Sequence, residues 1–270
     1  MTEADRSFDL RILFAALIGV LGLLAWQVLG GGIAVALVGN SNPLLLYLFI
    51  KGVFAGFIIL LAILFGRLEA VGFRRPAGLS SLVYGTPVIA LSLLLASQML
   101  QTGLVVSLAV AAGWALMALF VSIGEETVFR GLLYRLMAPL GYWATAIVTS
   151  SAFGAIHLLG LFSPLPDALI YAQCIFAASV GLVLFTVRTA GGSLWTVLFL
   201  HWFIDAAAFV SAGGVNPALA NADEAIPRFL LGAAIMLAWG LPAAVIQKRR
   251  LSRRESHQSS GPDTAGAVVA

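Results

Sequence analysis

The sequence predicts an all-α polytopic membrane protein, a helix bundle of about eight transmembrane helices. The composition is the first observation behind this: 61% of the 270 residues are hydrophobic, 10% are charged, and the mean hydropathy is +1.02. Such a chain has too few polar side chains to cover a water-soluble surface and reads as a core of helices packed in lipid. The second observation is that apolar segments long enough to span recur along the chain, separated by short polar breaks. The third is the uneven placement of the basic residues between alternate breaks.

Spans are expected near residues 12–38, 44–66, 80–100, 104–123, 143–160, 168–187, 193–212 and 228–247. The first is long and contains Gly30-Gly31-Gly32, which predicts a tilted, kinked or partly interfacial segment. Residues 1–250 read as one integral bundle, and residues 251–270, polar and then small, as a disordered cytoplasmic tail. The N-terminal flank mixes Glu3, Asp5 and Asp9 with Arg6 and Arg11, and the apolar stretch after it is longer than a signal-peptide core. That argues against cleavage, although Ala34-Val35-Ala36 resembles a cleavage site.

Threading eight spans from a cytoplasmic N-terminus puts thirteen of the fifteen basic residues on the cytoplasmic side. These are Arg6, Arg11, Arg67, Arg74, Arg75, Arg130, Arg135, Arg188, Lys248, Arg249, Arg250, Arg253 and Arg254. Only Lys51 and Arg228 fall outside. Both termini are therefore expected in the cytoplasm. The net charge of +3 follows this asymmetry, and no aromatic-basic interleaving points to nucleic acid. The single cysteine, Cys174, excludes an internal disulfide framework and a multi-cysteine metal site.

Against this background the acids stand out, because ionisable side chains at membrane depth are costly and rare. Glu125 and Glu126 lie in Ser-Ile-Gly-Glu-Glu-Thr-Val-Phe-Arg-Gly, with Arg130 four residues beyond Glu126. On a helix Glu126 and Arg130 share a face and pair, which turns Glu125 elsewhere. Glu125 then suits a general base, and the competing reading is a solvated helix end. Phe153 and His157 share a face at i, i+4, with Phe153 read as packing beside the histidine. His201 and Asp205 repeat that spacing in Leu-His-Trp-Phe-Ile-Asp. Each group alone reads equally as polar glue between helices. Together, expensive groups on separate helices are better explained by one shared cavity.

Two chemistries suit the set, and both hydrolyse an amide. In one, Glu125 and His157 activate a water while His201 and Asp205 support the oxyanion. In the other, His157, His201 and Asp205 hold a divalent metal such as zinc, with Glu125 as base or ligand. No His-Glu-x-x-His helix, Gly-x-Ser-x-Gly, phosphate-binding Gly-rich loop or Rossmann fingerprint is present.

Glu-Glu-Thr-Val-Phe-Arg fits Glu-Glu-x-x-x-Arg, Phe-Gly-Ala-Ile-His fits Phe-x-x-x-His, and His-Trp-Phe-Ile-Asp fits His-x-x-x-Asn/Asp. In this order the chain resembles the CPBP family, which holds type II CAAX prenyl proteases and bacteriocin-processing or immunity proteins. Residues 67–76, with Gly72-Phe73-Arg74-Arg75-Pro76, resemble the basic loop before the family's core, so the resemblance covers about 67–212. It implies an intramembrane endopeptidase with a polar cavity open to the cytoplasm. Glu125 is then the base for the attacking water, aided by His157. Glu126 and Arg130 are a supporting pair, and His201 and Asp205 sit at the positions of oxyanion support. The family's Asn donates a hydrogen bond at the last position, whereas Asp205 donates only when protonated. Ionised, Asp205 suits orienting His201 or binding metal. The family is described both as metalloprotease and as metal-free.

The implied partners are a membrane-associated peptide or protein substrate and the lipid bilayer of a bacterial inner membrane, with no nucleic acid. A non-catalytic scaffold or immunity protein and a proton-coupled transporter are the competing functions. The simple threading places Glu125 at the cytoplasmic end of its span and His157 at the far end of the next, too far apart at 1.5 Å per residue. One site therefore requires a single long helix over 104–138 with Glu125 at depth.

Overall fold

The computed structural model describes residues 10–66, 68–76, 78–215 and 221–259, which are helical with no strand among them. Eight helices are long and apolar enough to cross a membrane. They are α1 (Leu10–Val38), α2 (Pro43–Phe65), α3 (Ser80–Met99), α4 (Leu108–Leu140), α5 (Tyr142–Phe162), α6 (Asp167–Gly191), α7 (Leu194–Ala212) and α8 (Ala222–Ser259). The expected spans overlap these one for one. Arg6, Arg67 and residues 260–270 of the expected tail lie outside the described residues.

Local chemistry sets several boundaries. Asn42 caps α2, its side chain accepting from Leu45 N at 3.2 Å, with Pro43 at the first helical position. Ser107 caps α4 by accepting from Val110 N, and Ser193 caps α7 by accepting from Trp195 N. Gly192, at φ +67°, closes α6 in the left-handed region that favours glycine. That reversal brings α7 back beside α6 within two residues.

The bundle is organised around α6 and α4. Every residue of Ser179–Arg188 on α6 is buried, so the helix is covered on all sides over this stretch. Helices α5, α7 and α8 pack against it. Helices α2 and α7 pack against α4, and α7 also lies against α3. The outer faces carry exposed apolar residues such as Leu21, Val28, Leu94, Ile147 and Leu231, as lipid-facing surfaces should.

Three expectations change. The fourth span is not 104–123 but a 33-residue helix, about 50 Å at 1.5 Å per residue, so Glu125 falls midway along it. Gly30-Gly31-Gly32, the expected site of a tilt, kink or interfacial segment, lies within the continuous helix α1; Trp26 lies against Gly30 and donates from Nε1 to Ile50 O at 2.7 Å, tying the helix to α2. The last helix continues to Ser259, through nine positions expected in the tail. Gln247 Nε2 donates to Thr189 O and Arg250 Nη1 to Tyr84 OH at 2.7 Å, which anchors the polar end and lets the helix propagate. Two of the cations assigned to the cytoplasmic face, Arg130 and Arg188, are instead fully enclosed, at 0% and 1% exposure.

Close contact between α2 and α4 depends on Gly124, where a Cβ would lie 2.7 Å from Phe54 Cδ1. Gly124→Val should therefore overpack this contact and destabilise the fold by about 1–3 kcal/mol. Thermal unfolding in detergent should show a lower Tm; an unchanged Tm would refute the tight contact.

Candidate active site

The polar residues of α4, α5 and α7 meet where Glu125 passes the middle of α4. The α-helix ends at Glu126 and gives way to a wider π-helical turn over Thr127–Leu133, which carries Arg130. Wide turns of this kind re-aim side chains and recur at functional sites. Arg130 Nη1 donates to Glu126 Oε1 at 2.8 Å, the pairing that the i, i+4 spacing predicts. Both side chains have 0% exposure.

The same Glu126 oxygen also receives His201, whose Nδ1 lies 2.7 Å away. A carboxylate already accepting from Arg130 is an acceptor, so Nδ1 carries the proton and donates. The ring's other nitrogen, Nε2, is 3.4 Å from Asp205 Oδ2 and 4.0 Å from Glu125 Oε2. A proton at this edge of the ring satisfies the pair with Asp205, and Glu125 stands within a short step of it. Glu125 and Asp205 are 9% and 24% exposed at the side chain, so the site is enclosed at Glu126 and more open toward Asp205.

Phe153 occupies the centre of the remaining wall. Its ring meets His201 edge-on at 5.5 Å and His157 at 5.8 Å. The Arg130 guanidinium lies over it, 4.2 Å from the ring centre, a cation–π contact between two buried side chains. Phe153 thus does more than pack beside His157, as the sequence reading had it. His157 Nδ1 donates to Phe153 O at 3.1 Å. A carbonyl only accepts, so neutral His157 presents Nε2 as a lone pair. Among the described residues no hydrogen bond joins His157 to Glu125; the two are linked through the Phe153 ring and His201.

The set His157, His201 and Asp205 is not gathered around one point. Among the described residues no group of three or more His, Cys, Asp and Glu side chains is arranged to hold a metal ion. His157 joins the cluster only through the Phe153 ring, while His201 and Asp205 face each other directly. As placed, His157 does not converge with His201 and Asp205 on one ligand position.

Sequence reasoning missed Arg188. Its Nε donates to Arg130 O at 3.2 Å and its Nη2 to Val71 O at 3.4 Å. The available signal was a lone arginine in the apolar run Val-Leu-Phe-Thr-Val-Arg, which reads as an intramembrane charge as readily as a helix end.

Fold and site together define a polytopic membrane helix bundle with a buried glutamate–histidine–aspartate centre. A family model described as type II CAAX prenyl endopeptidase, Rce1-like, matches residues 107–207. That stretch holds all three motifs, and the match bears out the family resemblance read from them. No curated protein and no solved structure matches the chain.

The buried pair makes a distinct stability prediction. Arg130→Met leaves the buried Glu126 carboxylate without its arginine, held by His201 alone, and should cost about 3–5 kcal/mol. Adding Glu126→Gln removes that charge and should recover part of the loss in denaturant unfolding. A double variant no more stable than Arg130→Met alone would refute the pairing as the cause.

Proposed function

We propose that the protein is an intramembrane endopeptidase that hydrolyses a peptide bond of a membrane-associated peptide or protein. The observation that carries this reading is the His201 ring, held by Glu126 on one side and faced by Glu125 and Asp205 on the other. The family match over 107–207 supports a CAAX-protease-like activity.

In this reading Glu125 takes a proton from a water, whose oxygen attacks the scissile carbonyl. His157 assists through its free Nε2. His201, protonated at Nε2, donates to the developing oxyanion, and Asp205 orients that edge of the ring. Collapse of the tetrahedral intermediate breaks the C–N bond, and Glu125 returns its proton to the leaving amine. Glu126 and Arg130 stay out of the proton transfers and fix the ring's direction. The donor arrangement favours this side-chain chemistry over a resident metal. The basic residues that remain at the membrane surface support an orientation with both termini in the cytoplasm.

The test uses purified full-length protein and a mixed membrane-peptide library. Wild type should cleave, and Glu125→Gln should lower the rate by at least about 100-fold with Tm preserved. Chelation should leave the rate unchanged; loss on chelation, restored by zinc, would sink the metal-free reading. No cleavage by wild type, together with transport of a solute down a gradient, would sink the peptidase reading itself.

A further inference from the structure

The most enclosed charge without a role in that chemistry is Arg188 on α6. Its guanidinium bridges two backbone carbonyls from different parts of the chain, Arg130 O on α4 and Val71 O at the end of the short helix Leu68–Val71. It also lies over the Tyr134 ring, 4.9 Å from the centre. The Arg130 carbonyl is a special acceptor. In an α-helix it would receive Tyr134 N–H, but that N–H bonds instead to Phe129 O and Gly131 O. Arg188 Nε supplies a donor where the wide turn diverts this one.

The other arm of Arg188 reaches a strap formed by residues 71–74. Gly72, at φ +119°, presses directly on the guanidinium, and a Cβ there would collide with it. The strap is fastened over the α6–α7 turn. Leu194 N donates to Gly72 O at 2.8 Å, Arg74 Nε to Gly192 O at 2.8 Å, and Ser193 Oγ to Arg74 O at 2.7 Å. Arg188 therefore ties the start of α7, which carries His201, to the turn of α4 that carries Arg130. Those two side chains converge on one oxygen of Glu126.

We propose that Arg188 is a positioning residue of the site, setting the wide turn of α4 so that Arg130 and Glu126 meet His201. Its effect on turnover rests on the peptidase reading; its effect on the His201–Glu126 hydrogen bond does not. The bond is directly observable, because the chain has only three histidines and the Nδ1 proton of His201 gives its own NMR signal in protein labelled with ¹⁵N-histidine.

The experiment compares wild type with Arg188→Met and Arg188→Lys, all full-length in detergent. Lysine keeps the charge but cannot bridge both carbonyls with a rigid fork. The His201 Nδ1–H signal should move or broaden in both variants, less in Arg188→Lys. Where cleavage is measurable, kcat should fall about tenfold to a hundredfold with KM held within about twofold, the pattern of a misplaced site. An unchanged His201 signal in folded variants with a lowered Tm would overturn the proposal and leave Arg188 a packing element. So would failure of even Arg188→Lys to fold. If wild type cuts nothing while the signal shifts, the positioning role stands and the peptidase reading fails.

Discussion

One carboxylate oxygen, Glu126 Oε1, is where the structure is tied together. It accepts from Arg130 within α4 and from His201 on α7, both inside 3 Å. A buried carboxylate is tolerable only when paired and hydrogen-bonded, so Glu126 needs both donors and each donor needs Glu126. The shared oxygen fixes the rotation of α7 relative to α4. It also settles which His201 nitrogen faces Glu126, and so which one faces Glu125 and Asp205.

The long α4 makes that junction fall at depth. A helix ending after 123 would leave both glutamates in a solvated loop. Continuing to Leu140, it carries Glu125 to its midpoint and opens into a wide turn immediately afterwards. The turn reorients Arg130 inward, where the Phe153 ring receives it. The covered stretch Ser179–Arg188 of α6 closes the floor, with Gly181 small enough for the guanidinium, since a Cβ there would lie 3.0 Å from Arg130 Nη2. Polar chemistry in lipid thus depends on glycines and an aromatic ring as much as on the charged groups.

The two adjacent glutamates serve unlike ends because a helix sends neighbours in different directions. Glu126 points into the buried interior and accepts twice on one oxygen. Glu125 points to the more open edge with Asp205, where a reacting water and a peptide bond would have to sit. The partition between an enclosed structural side and an accessible reactive side is the physical basis for reading the site as hydrolytic.

Periodicity and composition alone determined the eight helices, because apolar length is dictated by the bilayer and needs no knowledge of neighbours. Residue spacing alone determined the Glu126–Arg130 and His201–Asp205 pairs, because both are local to one helix. Only the tertiary structure decided that His201 bonds to Glu126, that Phe153 stands between the two histidines, and that Arg130 and Arg188 are interior rather than flanking charges. Those facts depend on how α4, α5, α6 and α7 are rotated against one another. Hydropathy is blind to rotation, and an arginine at a helix end looks the same in sequence whether it faces water or a carbonyl on the next helix.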